Sequence, residues 1–425
     1  MNRTCDPSLR SWVSGADASS FPIQNLPMGA YEHPGGKVHL GVAIGDHVLD
    51  LTLLEQDGLL RLAPASEALF QDGSLNQWLS RGKAIWSSGR IAIQKLLHRD
   101  DSTLRDDEQR RRRYLLRQGD VRMVLPARIG DYTDFYSSRE HASNVGSMLR
   151  GPENALMPNW LHLPVAYHGR ASSVVVSGTN IIRPCGQFKP ETSPLPQFGP
   201  TRSLDYELEM AALVGPGNPM GEAIPIDHAE DHLFGLTLLN DWSARDIQGW
   251  EYQPLGPFLG KNFATSVSPW VVSLEALEPF RCAGPTQDPA PLPYLHQSGK
   301  ATFDIRLEVT IRSARMAEPL VVSRSNFKDL YWSLRQQVAH HTVNGCPLRP
   351  GDLLASGTIS GPTPESLGCL LERTWRGSRP LSLPEGETRR FLEDGDTVTF
   401  NAWCEGPGYR LGFGSVTGTI LPARN

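Results

Sequence analysis

The chain has 425 residues, a formal net charge of −5, 39% apolar residues and 20% charged residues. That length allows two or three domains, and the composition is that of an ordinary globular protein. The acidic balance argues against nucleic acid or an anionic membrane as partner, no apolar run is long enough to span a bilayer, and the opening MNRTCDPSLRSWVSG lacks the apolar centre of a secretory signal.

With Gly 40 and Pro 34, the texture is one of strands and turns. Residues 38–51, VHLGVAIGDHVLDL, alternate through Val38, Leu40, Val42 and Ile44, turn at Gly45-Asp46 and resume, which predicts a β-hairpin. From Ser74 the pattern becomes helical, with Ser74 as cap and Leu75, Trp78 and Leu79 on one face; Ile91–Leu97 is a further amphipathic stretch. Residues 100–120 run from acidic to basic, which suits one connector helix. The run Arg110–Arg113 is neutralised by acids in that same segment and reads as a solvated face.

Short strands then follow at 174–178, 204–215, 234–241, 301–313 and 396–406, with proline-rich loops at 184–200 and 284–293. The expected architecture is mainly β (α+β): a small N-terminal domain over 1–120 and a large strand-rich domain over 121–425. Loops between its short strands suit catalytic residues. Six scattered cysteines form no CxxC pair and are expected to be free thiols in a reducing cytoplasm.

The most informative segment is Leu204–Met210. Period-two alternation puts Asp205, Glu207 and Glu209 on one face and Tyr206, Leu208 and Met210 on the other. The following Ala211–Val214 is apolar, so the acids belong to a buried strand. Adjacent buried carboxylates repel and are costly to desolvate, and a hard divalent cation relieves both problems. A solvent-facing edge strand is the other way to place them. Asp241 ends a second apolar strand, and a helix beginning at Trp242 would set Asp241, Arg245 and Gln248 on one face. Asp134 precedes His141 by seven residues, and the serines before Glu140 resemble a helix start.

Other constellations carry less. His228 and His232 lack the zincin pattern and read as a polar helix face. His340-His341 reads as packing, and the glycine-rich GPGYRLGFGSVTG opens no helix.

The stretches DYTDFYSSREHASNVG (131–146), PNWLHLPVAYHGRASSVVVSGT (158–179), LDYELEMAALVGPGN (204–218), NDWSARDIQGWEYQPLGPFLGKNFATSVSPWVV (240–272) and RPGDLLASGTISGP (349–362) resemble the fumarylacetoacetase family. The resemblance spans essentially the whole chain. It implies a homodimer with an SH3-like N-terminal barrel and a mixed β-roll. It implies Ca²⁺ or Mg²⁺ held by Asp134, Glu207, Glu209 and Asp241, with Asp205 left out, and a second cation position near Lys261 and Thr265. His141 matches the family's general base, and Glu372 the carboxylate that orients it. Arg245, Gln248 and Lys261 match groups around the reacting carbonyl. Tyr136, Arg150, Tyr167, Gln248, Tyr252 and Thr358 match substrate contacts. The implied reaction is hydrolysis of 4-fumarylacetoacetate, a small dicarboxylate, to fumarate and acetoacetate, the last step of tyrosine and phenylalanine degradation. Acylpyruvate hydrolysis or oxaloacetate decarboxylation would use the same metal site, and a non-catalytic binding protein could keep the same fold. The His141–Glu372 pair favours hydrolysis, because decarboxylation needs no activated water.

Overall fold

The computed structural model describes residues 3–62 and 67–424. Its first region is built on a five-stranded sheet, in the order Leu115–Arg117, His47–Asp50, Val38–Ile44, Met28–Glu32 and Arg122–Val124. The predicted hairpin is present. Val38–Ile44 pairs with His47–Asp50, and Gly45 takes the positive φ of 59° that its two-residue turn requires. The last strand of this sheet, Arg122–Val124, lies just past the boundary expected at 120.

Three local expectations in this region are corrected. The helix after Ser74 is only Asn76–Leu79, and its cap position is Leu75; the Ser74 hydroxyl accepts the Asn76 N–H at 3.3 Å. The stretch at Ile91 is the end of a longer helix, Lys83–Leu97. The single connector helix is two short ones, Ser102–Arg105 and Glu108–Tyr114. Asp101 and Asp107 each accept a backbone N–H and so start a helix of their own. Leu115 and Leu116 then leave the helix to pair with Leu49 and Val48.

The second region is organised by an eight-stranded mixed sheet. Its path runs Ala166–Gly169, Tyr132–Phe135, Leu353–Ala355, Leu208–Val214, Leu233–Asp241, Thr265–Val267 and Val174–Val176, with Val272–Ser273 pairing beside it. Both faces are covered. Met210, Ala212 and Leu238 pack with Val309, Phe400 and Val416 of a five-stranded sheet, while Ala211, Leu213 and Leu239 pack with Leu40, Val42 and Leu49 of the first region. That double burial explains the nearly continuous apolar strands. Each fully buried leucine on them contributes about 1.5–3 kcal/mol. All six cysteines are free, and among the described residues no helix is long and apolar enough to cross a membrane.

The candidate metal and base site

Four carboxylates meet at one end of the central sheet. Asp134 lies in Tyr132–Phe135, Glu209 in Leu208–Val214, and Asp241 is the last residue of Leu233–Asp241. Glu207 precedes the second of these strands. Strand order and register bring them together: Asp134 is level with Ala355, Ala355 with Ala211, and Glu209 with Leu239, while Asp241 faces Thr265. One ligand oxygen from each acid lies within 4.8 Å of those from the others. All four are at most 5% exposed.

Buried acids at that spacing need positive charge. The Lys261 ammonium contacts Glu207 and donates to Asp241 Oδ2 at 2.8 Å, and Arg245 Nη1 donates to Glu207 Oε1 at 2.7 Å. Burial pushes the Glu207 carboxyl up, but Lys261 and Arg245 outweigh it and hold the group well below the usual carboxylate range. Nothing does the same for two of the others. Burial and then Asp241 push Asp134 well above that range, and burial with Asp134 and Glu207 does so for Glu209. Asp134 Oδ1 and Glu209 Oε1 have no hydrogen-bond partner among the described residues. Two orphaned buried oxygens in an all-oxygen donor set fit a hard divalent cation.

His141 stands beside these acids in the first turn of helix Arg139–Arg150. Ser138 caps that helix by accepting the His141 N–H at 3.1 Å. His141 Nδ1 lies 2.6 Å from Glu372 Oε2, and both residues are buried. Glu372 is held further by Ser360 Oγ at 2.8 Å, Cys369 Sγ at 3.2 Å and Asn144 Nδ2 at 2.9 Å. Burial raises the Glu372 carboxyl, and His141, with Asn144 and Ser360, overrides it and lowers it. With Nδ1 committed to Glu372, Nε2 is the ring nitrogen available to a proton.

The helix reading around Asp241 is corrected. Asp241 ends a strand, and the helix is Arg245–Glu251, so the three side chains do not share a helix face. They still converge. Lys261 joins Asp241 to Glu207, Arg245 joins Glu207 to Gln248 at 3.3 Å, and Thr265 Oγ1 donates to Asp241 Oδ1 at 2.9 Å. The continuous acidic strand face is also interrupted. Leu204-Asp205 pairs with Ser243-Ala244, and Asp205 points to Arg245 and to the start of the Leu370–Arg373 helix.

The expected substrate contacts divide. The Tyr167 hydroxyl donates to Asp241 Oδ2 at 3.0 Å, and the Tyr136 ring sits edge-on to His141 at 5.1 Å. Thr358 is buried, and its hydroxyl has no partner among the described residues. Tyr252 directly follows the Arg245–Glu251 helix. Arg150 is turned to the carbonyls of Asn154 (3.1 Å) and Ala155 (2.9 Å) rather than to the acids. A cavity of about 190 Å³ adjoins the cluster, lined by Tyr132, Tyr167, Asp241, Phe258, Lys261 and Thr265 among others. Its loop lies against helix Arg245–Glu251 because Gly260 has no side chain; a Cβ there would come within 2.8 Å of Gln248 Cβ. A larger cleft of about 380 Å³ lies by helix Lys83–Leu97, and no acid of the cluster lines it.

Sequence reasoning missed Tyr132, Asn144, Ser360 and Cys369. Asn144 was findable, because it lies at i+3 from His141 on one helix face. Ser360 offered no signal.

Residues 131–421 match the family model described as fumarylacetoacetate (FAA) hydrolase C-terminal, and residues 24–126 match fumarylacetoacetase N-terminal. The chain is 55% identical over 414 residues to the fumarylacetoacetase of Bos taurus, covering 97% of this chain and 99% of that one. It is 53% identical over 417 residues to that of Arabidopsis thaliana, covering 98% and 99%. Among solved structures it is similar to a fumarylacetoacetate hydrolase from psychrophilic Exiguobacterium antarcticum. The TM-score is 0.52 at 18% identity, over 94% of this chain and 100% of that one, a likeness of fold alone.

Proposed function

This chain belongs to the fumarylacetoacetase family, and from that premise we infer that it hydrolyses the carbon–carbon bond of fumarylacetoacetate to fumarate and acetoacetate, within tyrosine and phenylalanine degradation. The observation that carries the chemistry is the convergence of four buried carboxylates beside a buried His–Glu pair. Asp134, Glu207, Glu209 and Asp241 would hold Ca²⁺ or Mg²⁺, an assignment supported by the orphaned oxygens and the absence of softer donors among those four residues. Such a cation would supply charge stabilisation to the carbon leaving group.

The remaining work belongs to the chain. Glu372 holds Nδ1–H of His141, so Nε2 takes the proton from a water attacking the carbonyl on the fumaryl side; as the oxyanion collapses and the carbon–carbon bond breaks, that proton passes to the departing carbon to give acetoacetate. Arg245, Gln248 and Lys261 stabilise the oxyanion that forms there. Lys261 and Thr265 also border a second cation position. Tyr136, Tyr167, Tyr252 and Thr358 contact the substrate, with Arg150 turning in from its loop carbonyls to take a carboxylate. The domains divide near residue 120, and the enzyme acts in the cytoplasm as a homodimer.

The test is His141→Ala, assayed by loss of fumarylacetoacetate absorbance, with divalent-cation binding measured alongside. Turnover is expected to fall about 10²- to 10⁴-fold while the cation still binds. Near-normal turnover in that variant rules out the base assignment.

A further inference from the structure

Asp205 is left out of the cation site, yet it is one of the most heavily engaged side chains near it. It is fully buried. Oδ1 accepts the backbone N–H of Tyr206 (2.9 Å) and of Leu370 (2.8 Å). Oδ2 accepts the N–H of Leu371 (2.9 Å) and Arg245 Nε (2.9 Å). Leu370 and Leu371 open the four-residue helix that carries Glu372. One carboxylate therefore fixes both the segment that aims Glu372 at His141 and the guanidinium that reaches Glu207 and Gln248.

The geometry leaves a consequence on each side. Arg245 uses Nε on Asp205 and Nη1 on Glu207 and Gln248, so its plane is set by two carboxylates. Nη2 is buried with no partner among the described residues, and it is the donor left for a developing oxyanion. On the other side, a helix of one turn has little stability of its own. Its first N–H groups need an acceptor to set its direction.

We propose that Asp205 is a positioning residue that couples the proton-accepting His141–Glu372 pair to the oxyanion donor Arg245 by holding both in one register. This rests on the roles given above to those three residues. Asp205 touches neither substrate nor cation; it acts through the other side chains. Asparagine at this site would turn an NH₂ toward Arg245 Nε–H and the Leu371 N–H, or toward the N–H groups of Tyr206 and Leu370, donors facing donors in a dry interior.

The experiment compares Asp205→Asn, Asp205→Glu, Glu372→Gln and the double variant Asp205→Asn/Glu372→Gln with the unaltered protein, in saturating Mg²⁺ with fumarylacetoacetate. kcat, KM and thermal midpoint are read for each. Displacing reacting groups by about an ångström commonly costs on the order of 100-fold in rate. Asp205→Asn is expected to lose about that factor in kcat with KM little changed, and Asp205→Glu to recover part of it. In the Glu372→Gln background the Asp205→Asn loss should shrink, because part of its route is already broken. A kcat that stays at the unaltered value, or an undiminished loss in the Glu372→Gln background, overturns the proposal. So does a loss that only follows the unfolded fraction. If Asp205→Asn does not fold, Asp205→Glu decides: reduced kcat at unchanged KM supports coupling, and full kcat overturns it. His141→Ala, run in parallel, separates the two readings. Turnover retained there removes the base assignment itself, whereas an inactive His141→Ala beside a normal Asp205→Asn removes only this coupling.

Discussion

His39 and His141 are both buried, and each places Nδ1 against a buried carboxylate: Asp50 Oδ2 at 2.7 Å for the first, Glu372 Oε2 at 2.6 Å for the second. Their surroundings differ. Asp50 also accepts the Tyr31 hydroxyl at 2.6 Å and the Leu53 N–H at 2.8 Å, so it caps helix Leu51–Gln56. The His39 ring is stacked on His33 at 4.3 Å. Beside His141 stand four carboxylates, with a lysine and an arginine among them. A histidine held by a carboxylate is thus a common way to bury an imidazole, and the groups around the free ring nitrogen decide whether it does chemistry.

Truncating each histidine gives the largest expected difference between the two sites. His141→Ala is expected to lower kcat about 10²- to 10⁴-fold, the range of general-base contributions, with a small change in thermal midpoint. His39→Gln should leave kcat and KM unchanged. Steady-state assays of both variants check the contrast, and a large kcat loss in His39→Gln would erase it.

Gln248→Ala comes next. Losing one oxyanion donor costs about 10²–10³ in kcat. A variant with full turnover would leave Gln248 as no more than a brace for Arg245.

The acid cluster sharpens the contrast through stability. Burial, with Asp134 and Glu207, raises the Glu209 carboxyl in the folded state. At this group the folded, metal-free protein keeps its proton to higher pH than the unfolded chain. The stability that Glu209 contributes is therefore lost as pH rises from about 4.3, the ordinary glutamate value, toward the raised one. Glu209→Gln is expected to flatten that fall and to raise the thermal midpoint in chelator at neutral pH. The same change should diminish the stabilisation by added divalent cation, which is about 2.7 kcal/mol at 100 times Kd. Thermal scans across pH, with chelator and with Mg²⁺, read both. A midpoint in chelator below that of the unaltered protein would show the cluster to be stabilising without a cation.

The smallest effect falls on the structural pair. His39→Gln leaves Asp50 with one fewer donor, and a buried acceptor that loses its partner costs about 1–3 kcal/mol. Denaturant titration measures it, and no loss would mean that Tyr31 and Leu53 suffice for Asp50.

Much of the site was legible in the chain because its chemistry is local. Glu207 and Glu209 sit at period-two spacing, Glu209 beside the apolar run Ala211–Val214. Asp241 ends an apolar strand, and serine starts the helix of His141. Those are properties of short segments, set by strand pleat and helix capping. The hairpin at 38–50 was legible for the same reason.

Position across the molecule was not legible from such patterns. Whether Asp205 belongs with the acids or with Arg245 and Leu370 depends on a contact 165 residues away. The break of the strand at Tyr206–Glu207 depends on where Ser243-Ala244 lies. Ser360 reaches Glu372 only because the Leu370–Arg373 helix folds back on it. Which side chains can bind a hard ion or take a proton follows from residue type and local spacing, and so was readable along the chain. Which of them share a dry interior is a matter of the folded molecule, because strand order and loop closure set those distances and burial gives the charges their strength.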